Sequence, residues 1–334
     1  MDTKRRATIR DVASAADVSI ATVSKFMNKL QRYSPEVEAR IRHCAETLGY
    51  RRGLAIHSMA TGRTRTVGMA IQDVRNPHFA SLFRGASRIA ATHEYSLLVV
   101  DLQENQSSAL AMLEALSRRV DGLIVSSRVP DESVDWLIAL NKPVVFCGRI
   151  QRQGIISVHT DSYRAAYMLG QHLIESGRRR ISYLGFPAAG WNAERIRGLS
   201  DALAKKGLTP TLHETSSPSL EGGRNAATSI LLEGQRPDAV VGGNDLIAIG
   251  LMHEAQSLGL RIPEDIAVAG FGDTPVASYM WPPLTTVDLR SEQQGEAAMH
   301  RLMSAILKED TSNEVELEPH LVARASTRGR GPAV

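Results

Sequence analysis

From residue 66 onward the chain alternates short apolar runs with longer amphipathic ones. The apolar runs Val67–Ile71, Ser96–Val100, Gly122–Val125, Val144–Cys147, Ile181–Leu184, Ala239–Val241 and Ile266–Phe271 read as buried strands. Between them Phe79–Thr92, Ser108–Arg119, Tyr163–Ser176, Ala193–Lys206, Gly222–Glu233 and Asp245–Leu258 predict helices. Such alternation predicts an α/β fold of parallel sheets with helices on both faces. Ligands in these sheets bind beyond the carboxyl ends of the strands. The chain places Asp73-Val74-Arg75-Asn76-Pro77, Gly242-Gly243-Asn244-Asp245 and Gly270-Phe271-Gly272-Asp273 at such ends.

The first fifty residues follow a shorter period. Thr8-Ile9-Arg10-Asp11 is a capping box, and Ile9, Val12, Ala13 and Ala16 recur at helical spacing. After the turn Asp17-Val18-Ser19, Ser19 caps a second helix, Ile20 to Asn28, with Val23 and Phe26 or Met27 inward. Ser34-Pro35-Glu36 opens a third helix to about Leu48, which Gly49 stops. Two short helices around a tight turn, with a third closing the core, predict a helix-turn-helix head.

Charge separates the two regions. Residues 1–65 hold 13 Lys and Arg against six Asp and Glu, whereas the whole 334-residue chain has a net charge of +3. A basic head on a mildly acidic body predicts a polyanionic partner for the head. With 43% hydrophobic and 22% charged residues, the composition is that of a globular protein and excludes a disordered chain. Two cysteines, Cys44 and Cys147, exclude a disulfide scaffold. No apolar run is long enough to span a bilayer, and the charged start reads as lacking a secretory signal. The expected location is cytoplasmic, with no membrane partner.

The segment Asp17-Val18-Ser19-Ile20-Ala21-Thr22-Val23-Ser24-Lys25-Phe26-Met27-Asn28, with Tyr50 closing the third helix, resembles the head of the LacI/GalR (lactose-repressor) family of bacterial transcription regulators. The family usually has glycine where this chain has Asp17, a residue that tolerates left-handed backbone better than most. The resemblance implies that Ile20, Ala21 and Lys25 read bases in the major groove. Thr8, Ser19, Thr22, Ser24 and Asn28 then contact phosphates, which set register rather than sequence. It also implies a hinge helix over residues 51–65 that enters the minor groove beside its twin in a homodimer. There Met59 wedges between base pairs and Ile56 stands in for a small residue.

The body resembles the same family's effector domain, which is similar to periplasmic sugar-binding proteins. The matching segments are "RNPHF" (75–79), "CGR" (147–149), "HLIESGRRRISYLG" (172–185), "AERIRGL" (193–199), "GGNDLIAIG" (242–250) and "GFGDTPVASYMWPPLTTV" (270–287). The implied organisation is a head at 1–50, a hinge at 51–65, an effector and dimerisation domain at 66–327 and a disordered tail at 328–334. Lobe 1 is expected at about 66–159 and 288–318, and lobe 2 at about 160–287 and 319–327. The implied effector residues are Arg75, Phe79, Gly148, Arg149, Trp191, Arg195, Asn244 and Asp273, with Asn244 as the contact and Asp245 as the helix cap. Trp281 is a further aromatic face. Many relatives hold sugar hydroxyls with acids where Gly148 and Gly272 stand here, and "GFGD" resembles the gluconate-responsive branch. With Arg75, Arg149, Arg195 and nearby His78, the pocket is expected to be positive and to take a sugar acid or phosphorylated sugar. A structural ion pair, Arg75 or Arg149 with Asp73 or Asp161, is the alternative use of those arginines.

No phosphate-binding glycine loop, metal-spaced His/Cys/Asp/Glu cluster or Gly-x-Ser-x-Gly elbow is present. No enzyme, cofactor or metal is expected. A transport system's sugar-binding protein is the alternative, and it has no use for the basic head. The whole pattern predicts a regulator that binds a palindromic operator and is switched by a small effector.

Overall fold

A computed structural model describes residues 7–27, 31–50, 63–150, 152, 154–232, 234–309 and 314–328. Two compact units emerge, Met1–Arg65 and Thr66–Val334. The expectations for Asn28, Ile56, Met59 and the tail beyond residue 328 fall outside the described residues.

The first unit contains α1 (Ile9–Ala15), α2 (Ile20–Met27) and α3 (Pro35–Thr47). The Thr8 side chain accepts from the Asp11 amide while Asp11 takes the Thr8 amide at 2.7 Å, so the capping box is closed in both directions. Asp17 adopts a left-handed φ of 51° in the turn. Ser19 Oγ accepts from the Thr22 amide at 3.0 Å and starts α2. Ser34 occupies the N-cap of α3 but makes no capping bond; the Glu38 carboxylate instead takes the Tyr33 amide at 3.1 Å. Val12, Ala13, Ala16, Val23, Ile41 and Ala45 form the core, with Phe26 and Tyr50 packed against it.

The second unit holds two parallel sheets. The larger is built from β1 (Thr66–Ile71), β2 (Ser96–Asp101), β3 (Gly122–Ser126), β4 (Val144–Cys147), β5 (Ile156–Thr160) and β11 (Glu314–Leu317). Its order is β11-β5-β4-β3-β1-β2, with every pairing parallel. The smaller, in the order β7-β6-β8-β9, uses β6 (Ile181–Gly185), β7 (Thr211–Glu214), β8 (Ala239–Gly242) and β9 (Ala267–Ala269). An antiparallel pair, β10 (Thr286–Asp288) with β12 (His320–Val322), lies beside them.

Helices α4 (Pro77–Thr92), α5 (Gln106–Ser117), α6 (Asp131–Ala139) and α12 (Ser291–Leu307) belong to the larger sheet's lobe. The second lobe carries α7 (Ser162–Glu175), α8 (Gly190–Ala204), α9 (Leu220–Leu232), α10 (Asp245–Ser257) and α11 (Pro275–Tyr279). Each sheet buries two aliphatic cores, one per face. Val67, Met69 and Ile124 pack with Met299 and Leu302 of α12 on one side, and Leu123, Val125 and Phe146 pack with Leu113 of α5 on the other. The short strands β5, β7, β10, β11 and β12 were not expected from the apolar pattern. β7 and β11 are sheet edges whose exposed residues (Thr211, Leu212 and Glu214; Glu314 and Glu316) leave no continuous apolar run, while interior β5 interleaves the buried polar Ser157 and His159 with Ile156 and Val158.

Candidate effector cleft and nucleic-acid interface

The carboxyl ends of strands from both sheets, with the first turns of α4, α8 and α10, enclose a cavity of about 600 Å³. From the larger sheet's lobe it is lined by Asn76, His78, Phe79, Ser126 to Arg128, Cys147 to Arg149, His159 and Gln294. The other lobe adds Trp191, Glu194, Arg195, Arg197, Asn244, Asp245 and Thr274.

Six of the eight expected effector residues line this cavity: Phe79, Gly148, Arg149, Trp191, Arg195 and Asn244. Two do not. Arg75 points away, its side chain 83% exposed, and pairs with Asp73 at 2.9 Å in a two-residue loop. Asp273 is drawn off by Arg324 at 2.6 Å and adopts a left-handed φ of 47°. Trp281 is 84% exposed and also lies outside the lining. The cap expected of Asp245 is made by Asn244, which also lines the cavity. Asn244 is the cap of α10, accepting from the Ile247 amide at 2.8 Å while donating to the Pro218 carbonyl at 2.9 Å. Asp245 is buried and accepts from the Thr274 amide at 2.8 Å, the Thr274 hydroxyl at 2.9 Å and the Thr286 hydroxyl at 2.5 Å. Burial pushes its pKa up, against those hydrogen bonds.

The arginines divide by how far their charge is answered. Arg149 pairs with Glu194 at 3.1 Å and lies within 3.8 Å of Glu314 and Glu316. Arg128 is forked onto Glu104 at 2.6 and 2.8 Å. Arg195 is different. Only 3% exposed, it stacks between the rings of Trp191 and Phe271, at 4.3 and 4.4 Å. Its Nη1 donates to the Gly243 carbonyl, its Nε has no partner, and no carboxylate pairs with it among the described residues. Burial pulls its pKa down to about 10, the mark of a cation without a sufficient counter-charge.

His78 adds no positive charge, contrary to expectation. Burial first, then the fields of Arg195 and Arg128, push its pKa down to about 4, so the ring is neutral at neutral pH. Its Nδ1 lies 2.8 Å from Ser291 Oγ. Cys147 is likewise neutral, its thiol pushed up to about 12 by burial.

Gly148 and Gly272 have φ of 112° and 137°. A Cβ on Gly148 would fall 2.0 Å from Ser127 Oγ, which excludes an acid there without rebuilding the wall. Both carboxylates that line the cavity, Glu194 and Asp245, are committed to protein partners. What stays available is donor-rich: Arg195 with the hydroxyls of Ser126, Ser127 and Ser162. His78 lines the cavity as the sequence suggests, whereas His159 and Gln294 join it from sequence-distant elements that no local pattern marks.

In the first unit Ile20, Ala21 and Lys25 are exposed on α2, with Ser19 exposed and Thr22 and Ser24 half-buried beside them. Thr8 is half-buried at the start of α1, engaged in its capping box. The inward pair Val23 and Phe26 leaves the face bearing Lys25 free of core contacts.

No helix among the described residues is long and apolar enough to cross a membrane. No group of three or more His, Cys, Asp or Glu among them is placed to hold a metal ion.

Residues 8–53 match the family model for bacterial regulatory proteins of the lacI family, and residues 171–327 match a periplasmic binding protein-like domain. Catabolite control protein A of Priestia megaterium is 32% identical, with 96% of this chain and 99% of that protein covered. The transcriptional repressor PurR of Edwardsiella ictaluri is 30% identical, with 96% of each covered. A crystal structure of the lac repressor dimer bound to operator and the anti-inducer ONPF shares the fold, with a TM-score of 0.88 at 24% identity over 97% of this chain and 99% of that one. The capped helix-turn-helix, the two parallel-sheet lobes and the full-length relatives together place this chain in the LacI family of DNA-binding bacterial transcription regulators.

Proposed function

We propose that the protein is a cytoplasmic repressor of sugar or sugar-acid metabolism genes. It binds a near-palindromic operator as a homodimer and is switched by an anionic carbohydrate, a sugar acid or a phosphorylated sugar, held between its lobes. In each major-groove half-site Lys25 donates to a guanine edge, as a point charge rather than a fork, while Ile20 and Ala21 meet thymine methyl groups. Thr8, Ser19, Thr22, Ser24 and Asn28 take phosphates, and Ile56 and Met59 of the connector take the central minor groove.

The ligand class rests on Arg195. A guanidinium buried to 3% exposure between two rings, with an unpartnered Nε and no carboxylate pairing with it among the described residues, is completed by an anion. Gly148, Phe79, Trp191 and Asn244 shape the space around it, and Arg149 closes the rim through Glu194. Effector binding and operator binding are then coupled by ~1–3 kcal/mol, and the coupling is reciprocal.

The test is a thermal-shift panel of glucose, gluconate, glucuronate and glucose 6-phosphate. A ligand that binds only the native state raises the melting temperature as its concentration exceeds its dissociation constant. Shifts with the acids or the phosphate, and not with glucose, support the reading; a shift with glucose alone contradicts it.

A further inference from the structure

His78 stands in the same cavity as Arg195 but on the opposite lobe, in the first turn of α4, whereas Arg195 lies in the second turn of α8. Its backbone amide is held by the Asn76 side chain at 3.0 Å. The Phe79 ring meets the imidazole edge-on at 5.0 Å, and Ser291 of α12, itself buried, holds Nδ1 at 2.8 Å. The ring is therefore fixed from three sides, while Nε2 has no partner among the described residues. A serine hydroxyl can donate to Nδ1 as readily as accept from it. With Ser291 donating, the proton of the neutral ring sits on Nε2.

We propose that His78 is a specificity-determining residue of the cleft, donating from Nε2 to an oxygen of the effector whose anionic group is held by Arg195 of the other lobe. This rests on the anionic-effector reading above and sharpens it: the ligand must present two acceptor groups, one charged, on opposite sides of the cleft. The neutral state of the ring suits the role. An imidazolium would face Arg195 and Arg128, whose charges already push its proton off, whereas a neutral N–H donates without repelling them. Neither carboxylate lining the cavity is left to take the N–H, since Glu194 is held by Arg149 and Asp245 by two threonines.

The test is calorimetry on the full chain with gluconate and with glucose 6-phosphate, for the wild type, His78→Ala and His78→Gln. His78→Ala is expected to weaken the preferred anion at least tenfold, and His78→Gln, which keeps an N–H donor, to recover part of that loss. Nitrogen-15 NMR of histidine-labelled wild type adds a readout that packing alone would not move. The ring signals absent from His78→Gln are expected to show the Nε2–H tautomer, and the Nε2 signal to shift when the anion is added. Wild-type affinity in His78→Ala, or ring signals that do not respond to bound anion, overturns the role of His78 and leaves the anionic reading standing. Failure of both anions to bind the wild type overturns the two together.

Discussion

In the head, the groups that build the recognition surface lie within a few residues of one another. Thr8 and Asp11 close one cap, Ser19 and Thr22 the next, and the exposed face of α2 runs from Ile20 to Lys25. In the cleft, the lining is drawn from Asn76 at one extreme to Gln294 at the other, and each wall is held by partners far along the chain, such as Asp245 by Thr286. The head is set by local backbone chemistry, so its parts can be altered one at a time. The cleft is set by where strands end, so a change at one wall is felt by its neighbours. The charges follow the same division: in the head they face outward from a small apolar core, and in the cleft Arg128 and Arg149 are answered by carboxylates while Arg195 and Arg197 stack on aromatic rings.

The largest effect that would break this contrast is at Arg195. Arg195→Met removes a buried cation with no paired carboxylate, so melting of the ligand-free protein is expected to stay level or rise. Binding of the sugar acid should weaken by ~3 kcal/mol, the scale of a lost buried charge-assisted pair. A large fall in ligand-free stability with unchanged anion binding would make Arg195 a structural residue.

Gly148→Ala probes the coupling between walls. Its φ of 112° and the 2.0 Å approach to Ser127 Oγ predict a loss of roughly 2 kcal/mol or more in denaturant melts. Ser127→Gly in the same chain removes the clash and should recover part of the loss, leaving the backbone strain. Additive single effects would mean that the two walls are independent.

The pH dependence of stability isolates His78. An ordinary histidine titrates near 6.5 in an unfolded chain, and here the folded value lies near 4. The unfolded state therefore binds more protons between these values, so this contribution is complete above pH 6.5 and is lost as pH falls toward 4, with roughly 2 kcal/mol gone by about pH 5. His78→Gln should flatten that part of the curve. The smallest effect belongs to the head: Thr8→Ala should cost it about 1 kcal/mol, as a lost N-cap does, with the anion-induced shift of the body unchanged.

The head was legible in the sequence for the same reason that it is modular. A capping box, a turn residue able to take left-handed backbone and a proline at the start of α3 each act over three or four residues, and the structure shows all three. The α/β body was legible in its apolar runs, whereas edge strands such as β11, exposed at Glu314 and Glu316, were not. The cleft was legible only in part. Arg195, Trp191 and Gly148 stand in segments with a recognisable pattern, but Arg75 was lost to a neighbour two residues away, Asp73. Asp273 was lost to Arg324, more than fifty residues downstream. Ion-pair choice depends on which exposed partner reaches first in three dimensions, and no spacing rule encodes it. His78 shows the converse: its type suggested charge, and burial beside two arginines removed it.

An anion held at Arg195 is expected to change how the head engages DNA. Fluorescence anisotropy of the full chain on a labelled palindrome, selected by the protein from a random DNA pool, tests this directly at fixed salt. An acid or phosphate that raises the melting temperature should also shift operator affinity, by a factor of about 5 to 150 for a coupling of ~1–3 kcal/mol. Arg195→Met should bind the same DNA without responding to that ligand. Operator affinity that stays constant while the anion demonstrably occupies the wild-type protein would contradict it.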